Sequence, residues 1–244
     1  MMWAWAGYLL ILFGANVLGA VGGFGAGMIS IPFLTQIFDA KLVIMASTVT
    51  CVLNIFIAVK GWGDIQWKKL GIITLFMCLG LPVGVWGLKS LSIPALKLVL
   101  GIFMMLLGTY GLCKLNSEKL AKKVISKPVL YICLLLGGII QGAISSGGSL
   151  ILLYAQQEMP EKKGFRATLA LLWSVVSVIT VAQYGYAGTL TGEVFAMSAV
   201  GAPAVMLGIY VGGILCRRLS QRMFQYIINI LILVAGIINC VANG

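Results

Sequence analysis

The sequence predicts an all-α integral membrane protein made of two inverted-topology repeats, each a broken, re-entrant helix segment followed by three transmembrane helices. Three observations lead there. The chain of 244 residues is 61% hydrophobic and 9% charged, with a mean hydropathy of +1.07. Its apolar residues gather into runs near 7–35, 42–59, 70–88, 95–113, 129–156, 167–184, 195–215 and 224–242. The first and fifth runs each carry a glycine-rich break, about half a chain apart.

A span needs about 20 apolar residues. The first and fifth runs are too long for one straight crossing; the others fit one each. The first reads Gly19-Ala-Val-Gly22-Gly23-Phe24-Gly25-Ala26-Gly27-Met28-Ile29 at its break. The fifth reads Gly142-Ala-Ile-Ser145-Ser146-Gly147-Gly148-Ser149-Leu150-Ile151. Glycine costs a helix interior about 1 kcal/mol relative to alanine, and broken backbone at membrane depth survives only where protein or a cavity surrounds it. Matched interruptions in two halves point to a transporter's binding site. The start, Met-Met-Trp-Ala-Trp, lacks the basic region of a signal peptide, so the first run is expected to be retained.

The repeat extends past the breaks. Met45-Ala46-Ser47-Thr48 falls opposite Phe165-Arg166-Ala167-Thr168, and Asp64 opposite Glu193. Gly80-x-x-x-Gly84 falls opposite Gly208-x-x-x-Gly212, where small residues let helices approach closely. The division is therefore a first repeat over 1–113, a basic cytoplasmic linker over 114–128 and a second repeat over 129–244. Trp3, Trp5, Trp62 and Trp67 read as interfacial belt residues.

Basic residues choose between crossing and re-entrant readings of the broken runs. If every run crosses, Lys41, Lys89, Lys97, Lys162, Lys163, Arg166, Arg217, Arg218 and Arg222 share one face. The remaining eight of 17 basic residues take the other, which gives no orientation. If the broken runs return to the side they came from, only Lys41, Lys89 and Lys97 stay on one face. The other fourteen gather opposite, a strong positive-inside bias. Two half-helices of about 20 Å, over 8–21 and 25–38, fit that path at 1.5 Å per residue. Both termini then lie outside, and the lysine linker lies in the cytoplasm.

At each tip a helix would begin at the bilayer midplane. Its first N–H groups lack intrahelical partners, and the helix dipole adds about half a positive charge. Such an end binds anions. Gly25, Ala26 and Gly27 supply one half of the expected site; Gly147, Gly148 and Ser149 the other. Hydroxyls of Ser145, Ser146 and Ser149 add donors. Ser47, Thr48 and Thr168 join the candidates because they recur at matching positions. Arg166 can attract anions, or can instead serve as a snorkelling anchor or a partner of Glu161. The competing reading is that these glycines only allow tight packing.

Several functions lose their usual residues. There is no histidine, and the six cysteines form no CxxC, so metal, haem and histidine-base chemistry are not expected. The net charge of +11 sits in short loops, which reads as orientation and not as a nucleic-acid surface. The acids Asp39, Asp64, Glu118, Glu158, Glu161 and Glu193 all lie near segment ends, away from cation paths. No catalytic residue, metal or cofactor is expected. The expected partners are the bilayer and a small anion, with a homodimer admitted.

Both glycine motifs, the first running into Pro32, resemble those of the sulfite exporter TauE/SafE family, the toluene sulfonate uptake permease group, across nearly the whole chain. Many members carry a proline after the second motif, where this chain has Tyr154. The resemblance implies a secondary carrier of small sulfur-containing anions, sulfite or organosulfonates, acting as an exporter in the cell (inner) membrane. It also implies substrate contacts at Gly25, Gly27, Gly147 and Ser149. An uncoupled anion channel or uniporter is the alternative within transport, and a membrane enzyme or assembly factor the alternative outside it.

Overall fold

The computed structural model describes residues 2–23, 25–87, 93–117, 124–144 and 147–241. Among them there is no strand, and every apolar run becomes helix. The first run forms α1 (Met2–Gly22) and α2 (Gly27–Leu34). The second forms α3 (Ala40–Cys51) and α4 (Ile55–Lys60), joined by a 3-10 turn over Val52–Asn54. Then follow α5 (Trp67–Gly87) and α6 (Ile93–Asn116). The fifth run forms α7 (Lys127–Ile144) and α8 (Gly148–Glu158). The last three are α9 (Lys162–Tyr186), α10 (Gly192–Arg218) and α11 (Gln221–Val241). Among the described residues, six helical stretches are long and apolar enough to cross a membrane, so this is a multi-pass membrane protein.

Among the described residues, only the glycine motifs interrupt a run with non-helical backbone. At the first, Gly23 adopts φ +71, a left-handed conformation that glycine takes without steric cost. The two arms are unequal, in place of the matched half-helices expected over 8–21 and 25–38. α1 has 21 residues and α2 has 8, or about 31 and 12 Å. The second arm is short because the chain leaves the helix after Leu34 in a series of turns. Asp39 then caps α3, its carboxylate accepting from the Leu42 N–H at 3.0 Å.

The chain divides into two compact units, Met1–Leu70 with Arg166–Arg218, and Gly71–Phe165 with Leu219–Gly244. Each draws on both sequence halves. In the first, the broken segment doubles back. Phe38, four residues beyond α2, rests its ring 5.4 Å from that of Trp5 and 5.7 Å from that of Tyr8, both at the start of α1. α1 and α10 run parallel and nearly touch. A Cβ on Gly208 would come within 2.8 Å of the Phe13 carbonyl oxygen, and one on Gly212 within 2.6 Å of the Val17 carbonyl oxygen. Gly201 meets Leu12 and Tyr8 in the same row, and the Tyr8 hydroxyl donates to the Met197 carbonyl at 3.0 Å.

The second unit repeats this plan with other helices. Its broken segment also returns to its starting end, where the Gln157 carboxamide grips the Ile125 backbone twice. It accepts from the N–H at 2.8 Å and donates to the carbonyl at 2.9 Å. α7 lies parallel to α5, and a Cβ on Gly80 would meet the Leu135 carbonyl oxygen at 2.5 Å. α6 and α11 pair antiparallel, with Gly101 beside Gly236 and Cys240, and Gly111 beside Asn229. Had the fifth run crossed the membrane, three crossings would separate α6 from α11 and the two would run parallel. A run that turns back leaves two crossings, α9 and α10, and gives the antiparallel pair observed.

Ser126→Cys and Lys163→Cys, at the two ends of that returning segment, should therefore be labelled from the same side of the membrane in a background without native cysteines. Labelling from opposite sides would falsify the re-entrant path.

Candidate functional site

Breaking a helix inside a membrane strands carbonyls on the side that ends and N–H groups on the side that begins. At the first break three carbonyls are taken up. The Gly19 carbonyl accepts from the Gly23 N–H at 2.8 Å. The Ala20 carbonyl accepts from Arg166 Nε, and the Gly23 carbonyl accepts from Trp173 Nε1 at 3.1 Å. Arg166 and Trp173 lie two turns apart on α9 and face the same feature. The N–H side is left open. Ala26, the residue preceding α2, offers no side-chain cap. Among the described residues, no acceptor meets the N–H groups of Gly25, Ala26 or Gly27.

The electrostatic consequence is directional. The end of α1 carries the negative pole of its helix and the start of α2 a positive one, and in a hairpin the two meet. Arg166 places its guanidinium on the negative pole. The positive pole then remains uncompensated, which favours an anion at Gly25–Gly27. Arg166 anchors to the α1 backbone, and neither the interfacial anchor nor a pairing with Glu161 is needed to account for it.

The two breaks differ in what their glycines do. A Cβ on Gly25 would touch only the Trp173 ring, at an ordinary 3.8 Å. A Cβ on Gly147 would lie 1.9 Å from the Gly137 carbonyl oxygen and 2.7 Å from the Gln141 nitrogen. Gly147 is a packing glycine, whereas the described neighbours leave room for a Cβ at Gly25. The Gly147 N–H is also occupied, donating to the Gln141 carboxamide oxygen at 3.0 Å. Gly147 and Gly148 are buried. Ser145 and Ser146 lie outside the described residues, and of Ser149 only the backbone, in the first turn of α8, is described.

The remaining candidates are engaged elsewhere. Thr168 is fully buried, and its hydroxyl accepts from the Gln66 N–H at 2.9 Å, where α5 begins. The Thr48 hydroxyl donates to the Ile44 carbonyl of its own helix at 2.8 Å. Ser47 is half-buried, and its carbonyl accepts from Thr50. Trp173 escaped the sequence reading. The available signal was a tryptophan in the interior of the sixth run, away from the interfacial belts where this residue usually sits.

Helices broken in mid-course recur at the binding sites of secondary transporters. The chain belongs to the sulfite exporter TauE/SafE family, whose model matches residues 8–238. That is a family of membrane transporters. No curated relative and no solved structure matches the chain.

Trp173→Phe keeps the ring beside Gly25 but leaves the buried Gly23 carbonyl without its donor. Such a loss costs about 1–3 kcal/mol. The variant should unfold at a lower temperature in detergent than wild type, while Trp62→Phe, at an exposed ring, should not.

Proposed function

We propose that this protein exports sulfite-type anions, inorganic sulfite or small organosulfonates, across the cell membrane, and that the anion binds at the helix starts of the broken segments. The observation that carries the reading is the open set of N–H groups at Gly25, Ala26 and Gly27, beside a carbonyl end already neutralised by Arg166. At the second tip the N–H groups of Gly148 and Ser149 are the candidates, since Gly147 spends its N–H on Gln141. Backbone N–H groups suit a small oxyanion and offer a cation no carboxylate. Membership of a sulfite exporter family adds sulfite as the anion and export as the direction.

The proposed topology is that of inverted repeats with both termini outside. The returning paths of the two broken segments support it, as does the antiparallel pairing of α6 and α11. It gathers fourteen basic residues in the cytoplasm, as the positive-inside rule favours. With the inside negative, one exported negative charge gains about 2.3 kcal/mol per 100 mV. Export therefore needs no coupled ion in this reading.

Gly25→Ala and Gly25→Val test the site with little steric ambiguity, because only the Trp173 ring faces the added atoms. Sulfite flux in proteoliposomes should fall about ten-fold or more for alanine and vanish for valine, with thermal stability near wild type; the loss of one bond to a charged group is of that size. Gly147→Ala should instead lower stability along with flux. Normal transport by both Gly25 variants would remove the first tip from the binding site.

A further inference from the structure

Trp173 meets the first break at two points. Its Nε1–H donates to the Gly23 carbonyl at 3.1 Å. Its Cδ2, the carbon nearest Gly25, lies 3.8 Å from where a Cβ on that glycine would sit. Gly23 and Gly25 are the backbone just ahead of α2, which begins at Gly27. The indole therefore borders the space in front of the open N–H groups.

That ring is a fixed wall. It is 5% exposed, and Leu169, Leu172 and Val176 on the same face of α9 are buried with it. Ala26, whose N–H is among the open ones, is buried too. Swinging the indole aside would strip the buried Gly23 carbonyl of its donor and disturb close-packed neighbours. An indole has a single N–H, and here it is spent on Gly23, so the ring offers an anion no donor. What it contributes on that side is a limit of size.

Inorganic sulfite and organosulfonates differ at one position. Both carry three oxygens on sulfur; the fourth position holds a lone pair in sulfite and a carbon in an organosulfonate. Donors gathered at the start of α2 take the oxygens, so the fourth position points away from that helix, toward the turn and the ring against it. We propose that Trp173 is the specificity-determining residue of this site, admitting compact inorganic sulfite and turning away anions with a carbon body. The inference rests on the reading that the first tip binds the anion, and it narrows the substrate from two classes to one.

Flux of sulfite, methanesulfonate and ethanesulfonate into proteoliposomes tests it. In wild type kcat/KM should fall about ten-fold or more from sulfite to ethanesulfonate, since a single methylene is worth about 10- to 200-fold in selectivity. Trp173→Gln removes the ring but keeps an N–H donor at the same reach from Cβ as the indole Nε1. It should raise ethanesulfonate relative to sulfite about ten-fold. Trp173→Phe does the reverse, keeping an aromatic ring opposite Gly25 and losing the donor. It should hold the wild-type ratio while unfolding at a lower temperature. A ratio of two substrates on one variant does not depend on how much of that variant folds. Wild type that carries ethanesulfonate as well as sulfite overturns the proposal without any variant, as does a Trp173→Gln ratio equal to that of wild type. Normal sulfite flux in Gly25→Val removes the tip reading and this inference with it. Lost flux there, with an unmoved Trp173→Gln ratio, removes this inference alone.

Discussion

Everything in the first unit depends on satisfying the backbone where α1 stops inside the membrane. A carbonyl left bare in hydrocarbon costs several kcal/mol, and three of them cluster at residues 19–23. The solution comes from one remote helix, α9, which presents a guanidinium and an indole N–H. Once those carbonyls are closed, α1 can end at Gly22 without unravelling. The left-handed Gly23 can then turn the chain, and α2 can begin with its donors free. Remove the two side chains and the break has no compensation.

The same constraint is met differently in the second unit. There the segment closes on itself. Gln141 takes the Gly147 N–H, the Gly137 carbonyl sits against Gly147, and Gln157 clasps Ile125 at the base of the hairpin. One break is held from outside and the other from within. The outside-held break keeps open donors at Gly25 to Gly27; the self-held one has already used the donor of Gly147. Sequence similarity between the halves conceals this difference, because the Gln141 oxygen takes an N–H at one break while an indole on another helix caps a carbonyl at the other.

Much of the fold was legible in the chain itself. Hydropathy marked every helical run, and glycine marked the two interruptions, because both signals act locally. The small-residue reading of Gly80, Gly208 and Gly212 holds, each lying against the backbone of another helix. The arm lengths were not legible, since α2 ends through turns after Leu34 and an Asp39 cap that hydropathy does not register. The 3-10 turn over Val52–Asn54 left no trace in the apolar pattern. At the site, Gly25 and Gly147 look alike in sequence. What separates them is the atom a Cβ would meet, an aromatic face in one case and a backbone carbonyl in the other. Arg166 stood among the expected site residues, but its partner, the Ala20 carbonyl 146 residues away, is a tertiary fact.

The close parallel approach of α1 and α10 has a mechanical consequence. Gly201, Gly208 and Gly212 stand on one face of α10, and Gly208 and Gly212 each lie against a backbone carbonyl of α1. Sliding α1 by one residue would drive the next side chain of α10 into that backbone. Side-chain interfaces can creep by changing rotamers; a backbone seam of this kind has no such freedom. The two helices are geared together, so a shift of the first hairpin that opened its donors to either side of the membrane would have to carry α10 along as a single lever.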